Sequence, residues 1–516
     1  MPQGTRGARG PPVHQVVRDM IKNVLVLGAG SAGLIAAISL KVKIPQLSVR
    51  IVRSPDIGVI GVGEGTTPNF PKHLFDYLRI SRRHFYSLAQ PTWKLGVRFL
   101  WGPRKQFDYG FGLALDSHWT DLPRPNGYYC DDEFRCVDLP TALMAHDKVW
   151  ARQPGGVAPD IQPWHGFHIE NKKLVDTLEL VARGVGVEII DGRVSAAERG
   201  PGGVAAVMLD DGRRMEADFF IDASGFRSEL LGRFLEEPYV SYSPSLFCDR
   251  AVVGGWERGP DEPILPYTTA ETMDAGWAWR IDHEHFVNRG YVYCSSFISD
   301  EGAVAEFRRK NPKVPENLRV VKFRSGRYRR GWVDNVAAIG NSCGFVEPLE
   351  ATALMVVCAQ SQTLVDFLLH TGLSPTPTMR DLYNHMGSGM WDEIRDFLAL
   401  HYKLNTRLDT PFWKHCREDT DVSSVAGLLE FYEQNGPTGF ARHLLRPTGS
   451  NFGIEGFLVM LVGNRHPYTG RHTATAAERE TFDRRRAQYA AQAAAAMDVK
   501  EALGVIRHPG WRWHGE

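Results

Sequence analysis

The chain has 516 residues, of which 43% are apolar and 23% are charged, a balance typical of globular proteins. Lys plus Arg and Asp plus Glu both number 60, so no net field favours a nucleic acid or an anionic membrane surface as a partner. No run approaches about 18 consecutive apolar residues, so no membrane-spanning helix is predicted.

The N-terminal stretch MPQGTRGARGPPVHQ is basic, rich in Gly and Pro, and lacks the apolar core of a secretory signal. We expect residues 1–21 to form a disordered tail. Seven cysteines are scattered without a CxxC pattern, which favours reduced thiols in a cytoplasmic enzyme. Cys130 and Cys136, six residues apart, leave a metal site or a disulfide open as the less favoured interpretation.

The first predicted element is a strand, a glycine turn and a helix, NVLVLGAGSAGLIAAISL. Its continuous apolar run is typical of a buried strand in a parallel sheet. Gly28, Gly30 and Gly33 form GxGxxG: the first allows the tight turn, the second lets the backbone approach a pyrophosphate, and the third allows close helix packing. The helix N-terminus then faces the phosphate. This unit predicts a dinucleotide site.

The second strand, LSVRIV, follows at the spacing of a βαβ unit. An acidic residue normally ends this strand and binds the ribose hydroxyls, but Arg53 stands there. Arg53 could stack on an adenine or meet a phosphate, with Asp56 as a substitute acid, or it could be a solvated surface residue.

The middle of the chain alternates predicted loops and strands. Residues 61–68, GVGEGTTP, form a loop with too little side chain for core packing, and 91–101 predict one strand. Residues 102–165, rich in Gly, Pro, Asp and aromatics, predict long surface loops. From residue 166 we expect an amphipathic helix running into a strand, and then a β-meander with a DDG turn over 191–225.

Two later segments indicate which dinucleotide binds. FFIDASGFRS brings a strand to Asp222 and Gly225, and VAAIGNS brings another to Gly340 and Asn341. Flavoprotein hydroxylases and their relatives show GxGxxG, D-x-[ST]-G and G-[DN]-[SA] in this order. The three segments therefore favour FAD over NAD.

The stretch FVEPLEATALMVV places Glu347 and Glu350 among apolar residues. An unpaired buried carboxylate is costly, so a helix that only needed to pack would not place acids there. The stretch leads into a helix that ends near residue 369. Beyond residue 375 the pattern is helical, and it closes with an Ala-rich helix.

With these segments in place, the chain resembles the flavin-dependent halogenases of the tryptophan halogenase type, over residues 22 to about 470. GVGEGTTP is similar to the flavin-contacting loop of that family. AGWAWRID is similar to its W-x-W-x-I-P signature, with Trp277 and Trp279 as the paired tryptophans and Asp282 in place of proline. Such a pair is by itself more often core packing.

Two further segments of the resemblance carry the catalytic candidates. TWKLGVRF matches the segment with the essential lysine of the family, which falls on Lys94. FVEPLEATA matches the segment with the essential glutamate, Glu350, and the halide-binding turn, at Thr352 and Ala353. Alanine replaces the usual serine at 351 and the usual glycine at 353.

The resemblance implies an α/β fold with α+β elements. It is the GxGxxG, Rossmann-like FAD-binding fold of flavoprotein monooxygenases and halogenases, with a β-sheet insertion on the substrate side. We expect an FAD-binding domain at 22–375 and a mostly helical subdomain at 376–516 that covers the substrate site. The predicted cofactor contacts are Gly28, Gly30, Ser31, Ala32, Gly33, Arg53, Gly63, Glu64, Thr66, Thr67, Val194, Asp222, Gly225, Gly340 and Asn341.

The chemistry implied by the family uses FADH2 from a separate flavin reductase, dioxygen and chloride or bromide to form hypohalous acid. Lys94 would capture this oxidant by a hydrogen bond or as a haloamine, helped by a pKa lowered through burial. The alternative is a packed lysine whose head lies in water. Glu350 would assist the electrophile or take the proton of the ring, and Glu347 would support the structure or the flavin.

The substrate is expected to be an electron-rich aromatic: an indole, tryptophan, a Trp-containing peptide or a phenol. Where the family carries H-P-F-G, this chain has FDYGFG, so Tyr109 and Phe111 stand at the aromatic sandwich, with Phe452 as a third contact. No metal and no nucleic acid are expected, and a homodimer is left open. An FAD monooxygenase and a flavin-binding protein with a degenerate site are the rival interpretations.

Overall fold

The computed structural model describes residues 20–54, 63–112, 122, 129, 134–446, 450–470 and 473–513. Asp56 and Cys130 therefore lie outside the described residues. So does the predicted tail, except for residues 20 and 21. The helices from Ser31 to His370 are Ser31–Lys43, Asn69–Lys72, Arg82–Leu88, Leu139–Ala145, Asn171–Gly184, Asp300–Lys310 and Ala353–His370.

A six-stranded sheet carries the glycine turn. Its central strand, Asn23–Leu27, pairs in parallel with Ser48–Arg53 on one side and with Phe219–Asp222 on the other. Helices cover the central strand, which explains why its apolar run is continuous. The strands lie in the order Trp332–Val333, Val336–Ala338, Phe219–Asp222, Asn23–Leu27, Ser48–Arg53 and Glu188–Asp191.

A seven-stranded mixed sheet forms the second layer of β structure, as the predicted insertion requires. Most of its neighbouring strands are antiparallel, and Gly96–Leu100 pairs in parallel with Thr268–Met273. The strands lie in the order Arg319–Lys322, Arg250–Glu257, Phe286–Tyr293, Gly276–Asp282, Thr268–Met273, Gly96–Leu100 and Phe107–Gly110.

The segment 91–101 forms two strands, and the prediction of one strand is wrong. Thr92–Lys94 joins a small sheet with Glu64–Gly65 and Gly166–Ile169, whereas Gly96–Leu100 joins the mixed sheet. Leu95 is the switch between them, and its N–H donates to the carbonyl of Pro266. Lys94 therefore stands at the junction of two sheets.

Two other segments differ from expectation. Within 102–165 the chain forms the strand Phe107–Gly110 and the helix Leu139–Ala145, so the prediction of loops alone is wrong there. Asp138 caps that helix by accepting from the N–H of Thr141, a signal overlooked among the surrounding turn residues. The meander has three strands, Val194–Gly200, Gly203–Leu209 and Arg214–Glu216, and the segment that follows it leaves for the parallel sheet.

Beyond residue 376 the regular secondary structure of the described residues is entirely helical. Two of these helices begin with a Thr cap followed by Pro. The division into the two predicted subdomains stays a prediction. The closing helix predicted from the sequence is broken in two near residue 495. These helices are Pro377–Leu404, Pro411–Asp419, Ala426–Asn435, Gly453–Gly463, Ala476–Ala494 and Val499–Ile506.

One helix, Ala353–His370, is long and apolar enough to cross a membrane, with a mean hydropathy of 1.3. It packs beside Ser31–Lys43 in the core, and 56% of it is buried there. Core helices of this length meet the same criterion, so the helix is weak evidence for a membrane span.

Candidate active site

The glycine turn contains an open cradle at the start of helix Ser31–Lys43. A Cβ on Gly28, which has φ +109°, would lie 2.4 Å from the carbonyl of Ala223, and one on Gly33 would lie 1.9 Å from that of Gly28. A Cβ on Gly30 would meet nothing within 4 Å. Gly28 and Gly33 thus serve the turn and the helix packing, and the space beside Gly30 fits a pyrophosphate.

Two further glycine segments lie at the same end of the sheet. Gly225, with φ +69°, follows the strand next to the first, and its Cβ position is also open. Gly340 follows the next strand, and its N–H donates to Gln360 Oε1 at 2.8 Å. A Cβ on Gly340 would lie 3.1 Å from that of Ala32. Three small-residue segments therefore converge at the carboxyl edge of adjacent parallel strands, which fits an extended dinucleotide.

The other predicted contacts near this edge differ in how they are held. The hydroxyl of Ser31 donates to Asn171 Oδ1 at 3.2 Å. Asn341 is half-buried in the turn after Gly340. Val194 begins a meander strand and packs with the cluster on one face of the parallel sheet. Their contacts with the cofactor stay predictions.

Asp222 organises the turn that follows its strand. It is fully buried, and its carboxylate accepts hydrogen bonds from the N–H groups of Ser224, Leu230 and Leu231 at 2.8–3.1 Å. Burial raises the pKa of Asp222, and these donors oppose the rise. The carboxylate of Asp222 is thus hydrogen-bonded to nearby backbone N–H groups, and these bonds fix the turn after its strand.

Arg53 lies at the end of its strand between two acids. Its Nη1 donates to Glu179 Oε2 at 2.7 Å and its Nε to Asp191 Oδ1 at 2.8 Å. The ion pair with Asp191 raises the pKa of the guanidinium. The charge of Arg53 is therefore balanced within the chain, and a contact with adenine or phosphate stays a prediction.

The segment from residue 63 onward lies in the same small sheet as the lysine, because Glu64–Gly65 and Thr92–Lys94 both pair with Gly166–Ile169. Burial raises the pKa of Glu64 to about 7. Thr66 is buried, and its hydroxyl accepts from the N–H of Phe167 at 2.7 Å. The hydroxyl of Thr67 is buried without a hydrogen-bond partner among the described residues. A Cβ on Gly63 would lie 2.2 Å from His283 Nε2, so this glycine permits a close approach of the two segments.

Lys94 is completely buried, and the interpretation that places its head in water is wrong. Its Nζ has no hydrogen-bond partner among the described residues. Burial lowers the pKa of this amine to about 7, and the charge of Glu350 opposes the shift. An amine with this pKa is neutral in a substantial fraction of molecules near pH 7, and the neutral amine is a nucleophile.

Three other segments surround the amine, and they contribute Gly65, Ala351 and Phe111. A Cβ built on Gly65 would lie 3.5 Å from Lys94 Nζ and 3.3 Å from Ala351 Cβ. The Nζ also lies 5.1 Å from the centroid of the Phe111 ring, within range of a cation–π contact when protonated. Lys94 therefore contacts the region where the predicted flavin loop, the acidic turn and an aromatic candidate meet.

Glu350 is buried and paired. Its Oε1 lies 2.7 Å from Nε2 of His401, and the Nδ1 of the same ring lies 2.8 Å from the carbonyl of Phe397. Glu350 and His401 are 2% and 0% exposed. The carboxyl group that the sequence analysis assigned to chemistry is thus held by an imidazole.

Glu347 has different partners. Its Oε1 accepts from Trp277 Nε1 at 2.8 Å and from the hydroxyl of Tyr402. Its Oε2 has no partner among the described residues, and burial raises the pKa of the group to about 7. Trp279 donates instead to Asn288 Oδ1 at 2.7 Å. The paired tryptophans are core residues, and the first of them also fixes the acidic turn.

The predicted halide turn lies between Glu350 and the core helix Ala353–His370. Ala351 adopts φ +55°, and the chain then enters the helix through Thr352. The first-turn N–H groups of this helix have no acceptor within the helix. Thr352 is buried and Ala353 is exposed. A small anion at these N–H groups is compatible with the geometry and stays a prediction.

The aromatic candidates line one region. The hydroxyl of Tyr109 donates to the carbonyl of Phe452 at 3.1 Å. The ring of Phe452 stacks on Phe397 at a centroid distance of 4.0 Å, and Phe397 packs edge-on against His401 at 4.8 Å. Phe111 completes the set beside the lysine. The structure brings the three substrate candidates together with the lysine and the acid pair, although their contact with a substrate stays a prediction.

Sequence reasoning missed three residues of this site, His401, Tyr402 and His168. His401 and Tyr402 lie far along the chain from the acids that they contact, and nothing in HYKLN marks them. His168 donates to or accepts from Thr268 at 2.9 Å beside the lysine, and burial lowers its pKa. The one available signal for His401 and Tyr402 is that two polar aromatic residues follow apolar residues near the end of a long helix.

The described residues contain no group of three or more His, Cys, Asp or Glu side chains with the geometry of a metal site. Six cysteines are present in them as buried free thiols, among them Cys136. The metal or disulfide interpretation of Cys130 and Cys136 is not addressed by the described part of the chain.

Comparisons with known proteins identify relatives of this chain. The family model described as tryptophan halogenase matches residues 23–478. Tryptophan 7-halogenase RebH from Lentzea aerocolonigenes is 32% identical over 440 residues, which cover 80% of this chain and 82% of RebH. The crystal structure of MibH, described as a lanthipeptide tryptophan 5-halogenase, is 36% identical with a TM-score of 0.85, covering 96% of this chain and 95% of MibH.

A second solved structure is that of BrvH, a flavin-dependent halogenase from Brevundimonas sp. BAL3. It is 27% identical with a TM-score of 0.81, covering 94% of this chain and 99% of its own. The predicted fold class, the predicted family and the prediction of an enzyme are confirmed. The chain belongs to the tryptophan halogenase family of flavin-dependent enzymes.

Proposed function

We propose that this protein uses FADH2, dioxygen and chloride or bromide to halogenate an electron-rich aromatic, with an indole as the favoured ring. Bound at the glycine cradle, the reduced flavin would deliver two electrons to dioxygen, which would oxidise the halide to hypohalous acid while its second oxygen atom leaves as water. Gly30, Gly225 and Gly340 would accommodate the dinucleotide. Thr352 and Ala353 would hold the halide at the start of the core helix.

The observation that carries the proposal is the buried amine of Lys94, which has no hydrogen-bond partner within the part of the chain that the structure describes. Taking an ammonium group out of water without a partner is costly, so a purely structural lysine would not be placed there. The neutral amine can accept a hydrogen bond from hypohalous acid. Alternatively its nitrogen takes the halogen, which releases water and leaves an N–halogen bond.

The next step transfers the halogen to the ring. The aromatic π electrons form the carbon–halogen bond, and the electron pair of the breaking halogen bond stays on oxygen or nitrogen. The ring then loses a proton from the same carbon, and Glu350 is the buried carboxyl group beside Lys94 that can take it. The net change replaces one C–H bond by a carbon–halogen bond.

The residues around the amine support an aromatic substrate. Phe111 lies beside the Lys94 amine, and Tyr109 and Phe452 form a joined pair nearby. The missing histidine of the H-P-F-G segment argues against assuming free tryptophan, and MibH is described as a lanthipeptide halogenase. We therefore propose an indole, either in a small molecule or as tryptophan within a peptide, with a phenol as the alternative.

A separate flavin reductase is proposed to supply FADH2, since the sequence has one nucleotide fingerprint and no second one for NAD(P)H. The reduced flavin would reach the protein by diffusion. A monooxygenase acting through the same cofactor remains the rival function, and the dry lysine is the observation against it.

The test incubates the protein with a flavin reductase, NADH, FAD and bromide, with and without a panel of indoles, tryptophan, Trp-containing peptides and phenols. Mass spectrometry should show replacement of hydrogen by bromine, with the bromine isotope pattern, for at least one indole. Reactions without halide should give no product. An oxygenated product that forms equally well without halide would instead establish the monooxygenase.

A further inference from the structure

We propose that His401 positions Glu350 and holds one shared proton with it, so that the two side chains act as a single unit in proton removal from the ring. This rests on the proposed function, because it assigns Glu350 the role of base. His401 would not touch the substrate, and it would act through the carboxyl group.

The contact geometry is specific. The Oε1–Nε2 distance of 2.7 Å is that of a charge-assisted hydrogen bond. The opposite ring nitrogen, Nδ1, lies 2.8 Å from the backbone carbonyl of Phe397. Both ends of the imidazole are thus occupied by oxygen atoms, and the ring is completely buried.

These two contacts fix the number of protons. A carbonyl oxygen accepts hydrogen bonds and cannot donate, so the hydrogen bond to Phe397 requires a proton on Nδ1. The contact with Glu350 requires another, either on Nε2 or on the carboxyl group. The pair therefore carries one proton more than a carboxylate beside a neutral imidazole would.

Few other titratable groups near Glu350 and His401 could hold the proton that the two side chains share. The amine of Lys94 and the phenol of Tyr109 are the titratable neighbours whose electrostatics couple to Glu350. Around the imidazole stand the rings of Phe99, Trp101 and Phe397. The shared proton is thus held in an apolar enclosure.

The same helix end also holds the second acid. Tyr402 donates to Glu347, so consecutive residues of Pro377–Leu404 clamp both glutamates of the turn. The neighbouring Trp101 indole donates to the backbone carbonyl of His401 at 2.8 Å and fixes the helix end itself. Such convergence restricts the turn to one arrangement.

The hydrogen bond to His401 determines which carboxylate oxygen of Glu350 can accept the ring proton. With the shared proton on Nε2, Glu350 is a carboxylate whose Oε1 is occupied, and its Oε2 receives no hydrogen bond from the described residues. The ring proton would move to Oε2 while its C–H electron pair returns to the aromatic system. The proton then leaves Oε2 for solvent as the product departs.

The test compares two substitutions of His401 whose amide side chains differ in length. Glutamine at 401 places an amide donor near the position of Nε2, whereas asparagine is too short to reach Glu350. We expect His401→Asn to lower kcat for bromination about 10-fold or more. The KM for bromide and the affinity for FAD should stay within about 3-fold. His401→Gln should recover most of the loss at neutral pH while changing the pH profile of kcat.

A double-mutant cycle separates positioning from a general structural effect. In a Glu350→Gln background, His401→Asn should cause little further loss, because its effect runs through the carboxyl group. Equal losses in both backgrounds, or a wild-type pH profile in both His401 variants, would overturn the proposal. If the asparagine variant does not fold, the same cycle with His401→Gln decides through the pH profile.

A readout without turnover keeps this proposal distinct from the proposed function. In protein labelled with nitrogen-15 at histidine, the His401 signals, identified by their loss in the glutamine variant, should show a protonated Nδ1. Glu350→Gln should shift the Nε2 signal because the shared proton is lost. An Nδ1 without a proton would overturn the pair, whatever substrate the enzyme uses.

Discussion

Lys94 combines full burial with an ionisable head, and this combination has a cost in stability. The pKa of the amine is lowered to about 7 in the folded protein, from 10.5 when the chain is unfolded. Between these values the unfolded chain binds more protons, so this group makes the free energy of unfolding rise with pH. Below pH of about 7 the amine is protonated in both states, so the full cost of burying its charge lowers the free energy of unfolding.

Lys94→Met, which keeps the packed stem and removes the charge, is therefore expected to stabilise the protein. The gain over the wild type should be about 3 kcal/mol larger at pH 6 than at pH 9, as a first-order value from the change in proton binding. Urea unfolding of the two proteins at both pH values measures it. A stability difference that does not change with pH would show that the amine is solvated.

At this residue scale the sequence motifs identified Lys94 and Glu350, but not the side chains that hold them. His401 lies 51 residues after Glu350, and Trp277 lies 70 residues before Glu347. A local pattern carries no information on such pairings, because they depend on how a helix end docks on a turn. The buried state of the two acids could be inferred from their apolar neighbours.

At the scale of elements, the strand, turn and helix around GxGxxG follow from local rules. The turn needs a left-handed residue at Gly28, and the helix needs a close approach at Gly33. The break at Leu95 could not be foreseen in the same way. Its neighbours read as one apolar strand, and the sheet change arises from tertiary pairing with two different partners.

Two alanine substitutions separate fold from cofactor binding in this unit. Gly30→Ala should leave folding intact, because the added Cβ meets no protein atom within 4 Å, yet weaken FAD binding about 10-fold or more by filling the phosphate cradle. Flavin fluorescence titration and thermal unfolding measure the two effects. Unchanged FAD affinity in this variant would place the pyrophosphate elsewhere.

Gly33→Ala is the matched control, with the opposite expectation. Its Cβ would lie 1.9 Å from the carbonyl of Gly28, so the helix must shift away from the strand. We expect a lower unfolding temperature or loss of soluble protein, in contrast to Gly30→Ala. The pair of variants therefore distinguishes an open cradle from tight packing within one motif.

At the scale of the whole molecule, the site lies where three parts of the chain meet. The parallel sheet brings the glycine cradle, the small sheet and the mixed sheet bring Lys94, and the helices after residue 376 bring His401 and Phe452. Family motifs predicted the fold class, which is confirmed, and they supplied the positions that we propose as catalytic. They did not predict how the helical part closes on the acidic turn, because that packing uses residues outside the motifs.

The measurement that tests the central claim most directly is bromination by Lys94→Met with chemically reduced FAD, bromide and an indole that the wild type halogenates. We expect FAD affinity within about 3-fold of wild type and brominated product reduced by at least about 1,000-fold, because the substitution removes the amine that we propose receives the oxidant. Bromination at a rate close to that of the wild type would contradict the account.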